Sequence, residues 1–180
     1  MSRWNLLTMK KTELTFVFSL FAVVGLIAQH TRKMDASMPV FKDAKVGIAY
    51  EYYLYLKNAL VGARPEEARS TAGELQKSLA FVTNGKKAGD EAAKVAASAN
   101  LADQRRAFAG LSNEMSALVK GGKLSMGMLY LEYCPMANNN EGAYWLSNEK
   151  EIKNPYFGYK MLRSSADNLL KCGRVEEMIN

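Results

Sequence analysis

The sequence holds one histidine, two cysteines, two tryptophans and four prolines in 180 residues, and each scarcity narrows what the protein can do. The single histidine, His30, follows an apolar N-terminal run and precedes every helical and strand segment. Most zinc sites, and the Cys–His and Ser–His nucleophile pairs, need an imidazole inside the fold. No glycine-rich phosphate loop, Walker sequence or dinucleotide fingerprint occurs. Carboxylate pairs such as Glu66-Glu67 and Glu176-Glu177 read as solvated charge on polar helix faces. An enzyme is therefore not expected.

Charge of one sign is also scarce in local runs. The net charge is +6, but basic and acidic residues are interleaved along the chain. No basic stripe marks a nucleic-acid interface, and no nucleic-acid partner is expected.

The one long hydrophobic run is Leu14 to Ala28, fifteen residues, preceded by Lys10-Lys11 and followed by the polar Gln29-His30-Thr31-Arg32-Lys33. A basic start, an apolar centre and a cleavage point after Ala28 describe a secretory signal over residues 1–28. A spanning helix wants roughly 20 apolar residues, so membrane attachment is expected only if this segment stays uncleaved. Leu26 is larger than a signal peptidase prefers, and Met9 offers an alternative start. Cleavage would remove Arg3, Lys10, Lys11 and Glu13 from the net +6 and leave about +4. The expected compartment is the periplasm.

With nearly half its residues apolar, the rest is long enough for one cored domain. Residues 29–40 read as a flexible leader and 41–180 as the domain. Apolar positions Phe41, Ala44, Ile48, Tyr52, Tyr55 and Ala59 recur at three and four residues and predict a first helix over about 41–61. Gly62 and Pro65 interrupt it, and Pro65 suits the first turn of a second helix. That helix carries Ala68, Ala72, Leu75, Leu79 and Val82, and stops at Asn84-Gly85. A short alanine-rich helix is expected over 90–99. A fourth, with Leu101, Phe108, Leu111, Met115 and Leu118 on one stripe, ends at Gly121-Gly122. Helices joined by short loops form an up-and-down bundle, so these stripes are core.

After Gly122 the period changes to two: Leu124, Met126, Met128, Tyr130 and Glu132 alternate with Ser125, Gly127, Leu129, Leu131 and Tyr133. A hairpin running into Cys134-Pro135-Met136 is predicted, then a loop at 138–142, a short aromatic stretch at 143–147, a turn at Asn154-Pro155, and a last helix over about 159–171 ended by Gly173. The fold class is mainly α: an up-and-down helical bundle with a small β-hairpin or irregular C-terminal cap. Trp145, Tyr156 and Phe157 read as packing, and Met126 and Met128 as strand methionines filling core gaps.

Cys134-Pro135-Met136-Ala137, Gly142-Ala143-Tyr144-Trp145-Leu146-Ser147, Glu151-Ile152-Lys153-Asn154-Pro155-Tyr156-Phe157-Gly158 and Cys172-Gly173 stand here in the order seen in the exported bacterial domain-of-unknown-function family 3347. The segments Tyr53 to Leu60 and Gln104 to Ser112 also resemble that family. The resemblance covers about residues 46–178. It implies a stand-alone exported protein, or a domain of the kind fused to periplasmic adaptor subunits of copper and silver efflux systems. It thereby implies soft-metal handling, with periplasmic efflux components as partners, and marks Pro135, Trp145, Asn154, Pro155, Tyr156, Phe157 and Gly158 as motif positions. The tail departs from the family pattern, since Arg163 to Lys171 separate Leu162 from Cys172.

Thiolates and thioethers favour Cu(I) and Ag(I), so Cys134, Met136, Met161 and Cys172 form the ligand set this implies, with Pro135 pre-shaping Cys134 and Met136. Trp145, Tyr156 and Phe157 would wall such a site, and Met126, Met128 and Met136 could relay its ion. An exported protein with two cysteines also commonly oxidises them, so a Cys134–Cys172 disulfide and free thiols both stay open. The expected function is a periplasmic Cu(I)/Ag(I) buffer or carrier linked to efflux. Its alternative is a metal-free, disulfide-stapled interaction module presenting Tyr50, Tyr52, Tyr53 and Tyr55 to a partner.

Overall fold

Four helices follow the punctuation of the sequence. In the computed structural model, which describes residues 38–158 and 167–180, they are α1 (Ala44–Val61), α2 (Pro65–Leu79), α3 (Lys86–Ala97) and α4 (Leu101–Gly122). The segment 1–28, His30 and Met161 lie outside the described residues, as does most of the predicted last helix. The Asp43 carboxylate accepts from the Lys45 amide at 2.9 Å to start α1. The Asn100 carboxamide oxygen accepts from the Asp103 amide at 3.0 Å to start α4. Both satisfy an amide that helix geometry leaves unpaired. Pro65 opens α2, where its missing N–H costs nothing. Each helix packs on the next, and α1 also meets α4, the neighbour relation of an up-and-down bundle.

Two small antiparallel sheets complete the fold. Strand β1 (Val40–Phe41) pairs with β2 (Leu124–Met126), so the end of the expected leader is part of the structure. Strands β3 (Leu129–Cys134), β4 (Ala143–Ser147) and β5 (Arg174–Ile179) form a sheet in the order β4-β3-β5. The hairpin is thus β3–β4, with Glu132 opposite Trp145 and Cys134 opposite Ala143. Only Asp167–Leu170 of the predicted last helix is described as helical, as a single turn. Strand β5 is a correction: Glu176 and Glu177 stand on an exposed strand, not a helix.

The stripes expected for α2 and α4 face inward: Ala68, Ala72, Leu75, Leu79, Phe108, Leu111 and Met115 are in the core, and Leu101 and Leu118 pack against it partly buried. The stripe expected for α1 is displaced. Ile48 is 52 % exposed and Tyr55 37 %, whereas Tyr50, Tyr53, Leu56 and Leu60 are fully buried. Helix α1 is apolar around most of its circumference, so periodicity alone does not fix which face turns inward. It is held both by the other helices and by the β4-β3-β5 sheet. The surface expected of its tyrosines is corrected with it: Tyr50 and Tyr53 are core, and Tyr52 is partly buried.

A continuous line of rings joins bundle to sheet. Phe41 meets Tyr50 at 5.5 Å between centroids, Tyr50 meets Tyr53 at 6.1 Å, and Tyr53 stacks on Phe108 at 5.3 Å. Phe108 meets Tyr156 at 5.9 Å, and Tyr156 meets Trp145 at 6.1 Å. The Tyr53 hydroxyl is a junction: it accepts from the Leu146 amide at 3.0 Å and shares a 2.8 Å hydrogen bond with Ser112 Oγ, joining α1, β4 and α4. Phe108 sits mid-line with no exposed surface. Phe108→Ala is expected to lower the unfolding free energy by about 3–5 kcal/mol, read as a lower urea midpoint at an unchanged slope.

Candidate functional site

The motif residues of the last quarter of the chain converge on the sheet end of the bundle. Cys134 closes β3, and Cys172 lies two residues before β5. The two form a disulfide across 38 residues of sequence, with Cα atoms 5.8 Å apart. Cys134 is fully buried and Cys172 partly so. Closing a loop of this length confines the unfolded chain by about 3–4 kcal/mol in the chain-entropy account.

Asn154 holds the same junction without covalent help. Its backbone amide donates to Leu170 O at 2.8 Å and its side-chain amide to Cys172 O at 2.8 Å, while its side-chain oxygen accepts from the Tyr156 amide at 2.8 Å. The last of these is the local turn that asparagine forms with its own backbone two residues on. The Tyr156 hydroxyl donates to Tyr144 O at 2.8 Å, pinning the Asn-Pro-Tyr-Phe-Gly turn to β4.

Both motif glycines are sterically required. Gly158 has φ +64, and a Cβ there would lie 2.6 Å from Val61 O and 2.5 Å from Arg105 Nη2. Gly173 has φ +144, and a Cβ would meet the Trp145 ring at 2.8 Å. Side chains rarely adopt either backbone.

The residues named from the sequence therefore divide. Cys134 and Cys172 come together. Trp145 and Tyr156 are buried as packing, and Phe157 packs partly buried against the core. Met136 is 45 % exposed on the turn after Cys134. Met126 and Met128 are 71 % and 37 % exposed, so they fill no core gap. Met128 precedes β3, whose Leu129 takes the inward position, and β2 pairs only with the short edge strand β1. Among the described residues no group of three or more His, Cys, Asp or Glu side chains is placed to hold a metal ion. None of the described helices is long and apolar enough to cross a membrane.

Two features went unread in the sequence. The first is a buried polar cluster between α1 and the sheet. Glu132 has no exposed surface, and neither carboxylate oxygen has a hydrogen-bond partner; the Tyr50 hydroxyl and the Trp145 indole N–H are likewise unpartnered. Lys57, also buried, donates to Ser147 Oγ at 3.4 Å. Burial pushes the Glu132 carboxyl up to about 8, opposed first by the Lys57 ammonium and then by the Trp145 N–H, which faces it without forming a hydrogen bond of normal geometry. Burial pushes Lys57 down, and Glu132 opposes that. The signal available was a lone acid in an otherwise apolar strand and a lysine, Lys57, in the tyrosine- and leucine-rich second half of α1. The second feature is Arg105, whose guanidinium donates from Nε to Pro155 O at 2.9 Å and from Nη2 to Leu60 O at 3.0 Å.

A proton held by Glu132 in the folded protein and lost from its ordinary range near 4.5 when unfolded makes folding proton-linked. Its contribution is present below the unfolded value and is lost as pH rises through about 8. Relative to Glu132→Gln, the wild-type protein is expected to lose up to about 1.4 kcal/mol per pH unit across this window and to level off above it, measured by urea unfolding from pH 5 to 9. A constant difference between the two proteins would place the charged carboxylate in the native state throughout.

These features define a disulfide-closed helical bundle with a three-stranded cap locked on by its own motif residues. Residues 49–127 match the model of a family described as Protein of unknown function (DUF3347). The match covers most of α1 through β2, the scaffold on which the cap is mounted. No match is found among curated proteins or solved structures.

Proposed function

We propose that this protein is an exported, disulfide-stapled binding module and not an enzyme. The observation that carries this reading is the Cys134–Cys172 bridge. Structural disulfides persist in oxidising compartments, which agrees with the secretory pattern of residues 1–28. Both sulfurs are committed to holding β3 and β5 together, and the chain's one histidine, His30, precedes the described domain.

A second reading is favoured by the same geometry in the reduced state. With Cα atoms 5.8 Å apart, Cys134 and Cys172 would offer two neighbouring thiolates, with the exposed Met136 thioether beside Cys134 and Met161 as a further candidate. Such a donor set prefers Cu(I) or Ag(I). In this reading the protein is a soft-metal buffer or carrier whose capture depends on reduction, serving periplasmic efflux components.

Intact mass after alkylation without reductant, followed by Cu(I) titration against a chromogenic chelator, separates the two. The stapled module is expected to be unalkylated, two hydrogens lighter than the reduced form, and unable to draw Cu(I) from the chelator. Two alkylated cysteines with stoichiometric Cu(I) capture, abolished by Cys134→Ser, would overturn it in favour of the metal reading.

A further inference from the structure

Where the cap meets the start of α4, a concave pocket of about 240 Å³ is lined by Arg105, Arg106, Asn138, Asn139, Tyr156 and Phe157. Its volume falls below the roughly 300–1,000 Å³ of sites for drug-sized molecules, which suits one small acid or a chain terminus. Arg105 is the unusual member. It is half-buried, both its hydrogen bonds go to neutral carbonyls, and no carboxylate lies within ion-pair distance of it among the described residues. Burial lowers it only to about 10, so it carries its charge at neutral pH. A desolvated cation without a counter-charge is costly, and an anion that reaches it recovers that cost.

The acids on the flanking elements are engaged elsewhere. Asp103 accepts from Arg106 at 2.8 Å and from the Asn100 side chain at 2.7 Å; Glu141 accepts from the Asn138 side chain at 2.8 Å. Opposite Arg105 the chain runs through three successive left-handed residues, Asn138, Asn139 and Asn140, with φ of 50, 57 and 65°. Asparagine tolerates this region better than most residues, and the turn sets the Asn138 and Asn139 side chains at the pocket wall. The Tyr156 and Phe157 rings supply an apolar side. A planar guanidinium, carboxamide donors and an aromatic wall make a donor set for a planar anion carried on an apolar group.

We propose that this pocket binds the carboxylate of a small ligand, with Arg105 as the charged partner and Asn139 as a neutral donor. The proposal rests on the binding-module reading and names its ligand class.

The test is NMR titration of the full-length, oxidised protein with N-acetylphenylalanine, its carboxamide analogue, acetate, the peptide Ala-Ala-Phe and inorganic phosphate. Saturable shifts of the Arg105 guanidinium and Asn139 carboxamide signals by N-acetylphenylalanine are expected, with the carboxamide analogue at least about 10-fold weaker. Arg105→Gln is expected to weaken binding by a similar factor. Because Arg105 also braces the turn, Asn139→Gly is the companion variant: it keeps the left-handed backbone and removes only the side-chain amide, so weaker binding with an unchanged amide spectrum supports the site. Acetate binding as tightly as N-acetylphenylalanine would identify free small acids as the source, and tighter binding of Ala-Ala-Phe a peptide terminus. Equal binding of acid and carboxamide, preference for phosphate, or no saturable shift would overturn the proposal. Any of these in a protein whose cysteines resist alkylation would overturn the pocket assignment alone and leave the stapled module standing.

Discussion

The link between Cys134 and Cys172 is the constraint on which the cap depends. Strand β5 contributes few buried groups, with Arg174, Glu176, Glu177 and Met178 exposed, and hydrophobic burial alone gives it little reason to stay on β3. The disulfide fixes the first residues of β5 beside the last residue of β3. Gly173 lets the chain pass against the Trp145 ring, and Asn154 ties the Cys172 carbonyl to the turn after β4. Once these are in place, Tyr156 can reach both the Phe108 ring and the Tyr144 carbonyl. The cap is thereby continuous with the aromatic line through the bundle.

The same closure explains why polar groups survive inside. Glu132 and Trp145 are cross-strand partners on β3 and β4, and the sheet presses them against Tyr50, Tyr53 and Lys57 of α1. An isolated carboxylate there would be expensive, and taking up a proton offsets most of that cost. The cluster ties the charge state of the core to the seating of the sheet on the helices.

Much of this was legible in the sequence. Pro65 and Gly121-Gly122 mark helix ends because they act on the backbone directly, whatever packs nearby; Asn84-Gly85 does not stop α2, which ends earlier at Leu79, and Gly85 instead caps the start of α3. The faces of α2 and α4 were legible because each has one apolar stripe. Helix α1 was not, since a helix buried on two sides carries no single period, and tyrosines fit core and surface alike. Strand β5 was missed because Arg174 to Ile179 is charged and mostly exposed; its pairing comes from the disulfide and from the edge of β3, which are non-local. Within the site, the location was legible but several roles were not. Asn154 and Gly158 stand out as motif positions, yet their work is to satisfy a carbonyl and to clear space for Arg105. Arg105 itself sits in an ordinary helical charge pattern, and only the fold shows that carbonyls, not acids, surround it.

The most direct test of the central claim is amide hydrogen exchange on the oxidised and the reduced protein. On reduction, β5, the 154–158 turn and the β3 amides facing β5 are expected to lose protection together, while α2, α3 and α4 keep theirs. Unchanged protection of β5 in the reduced protein would contradict it, and would show that the cap is held by packing without the covalent link.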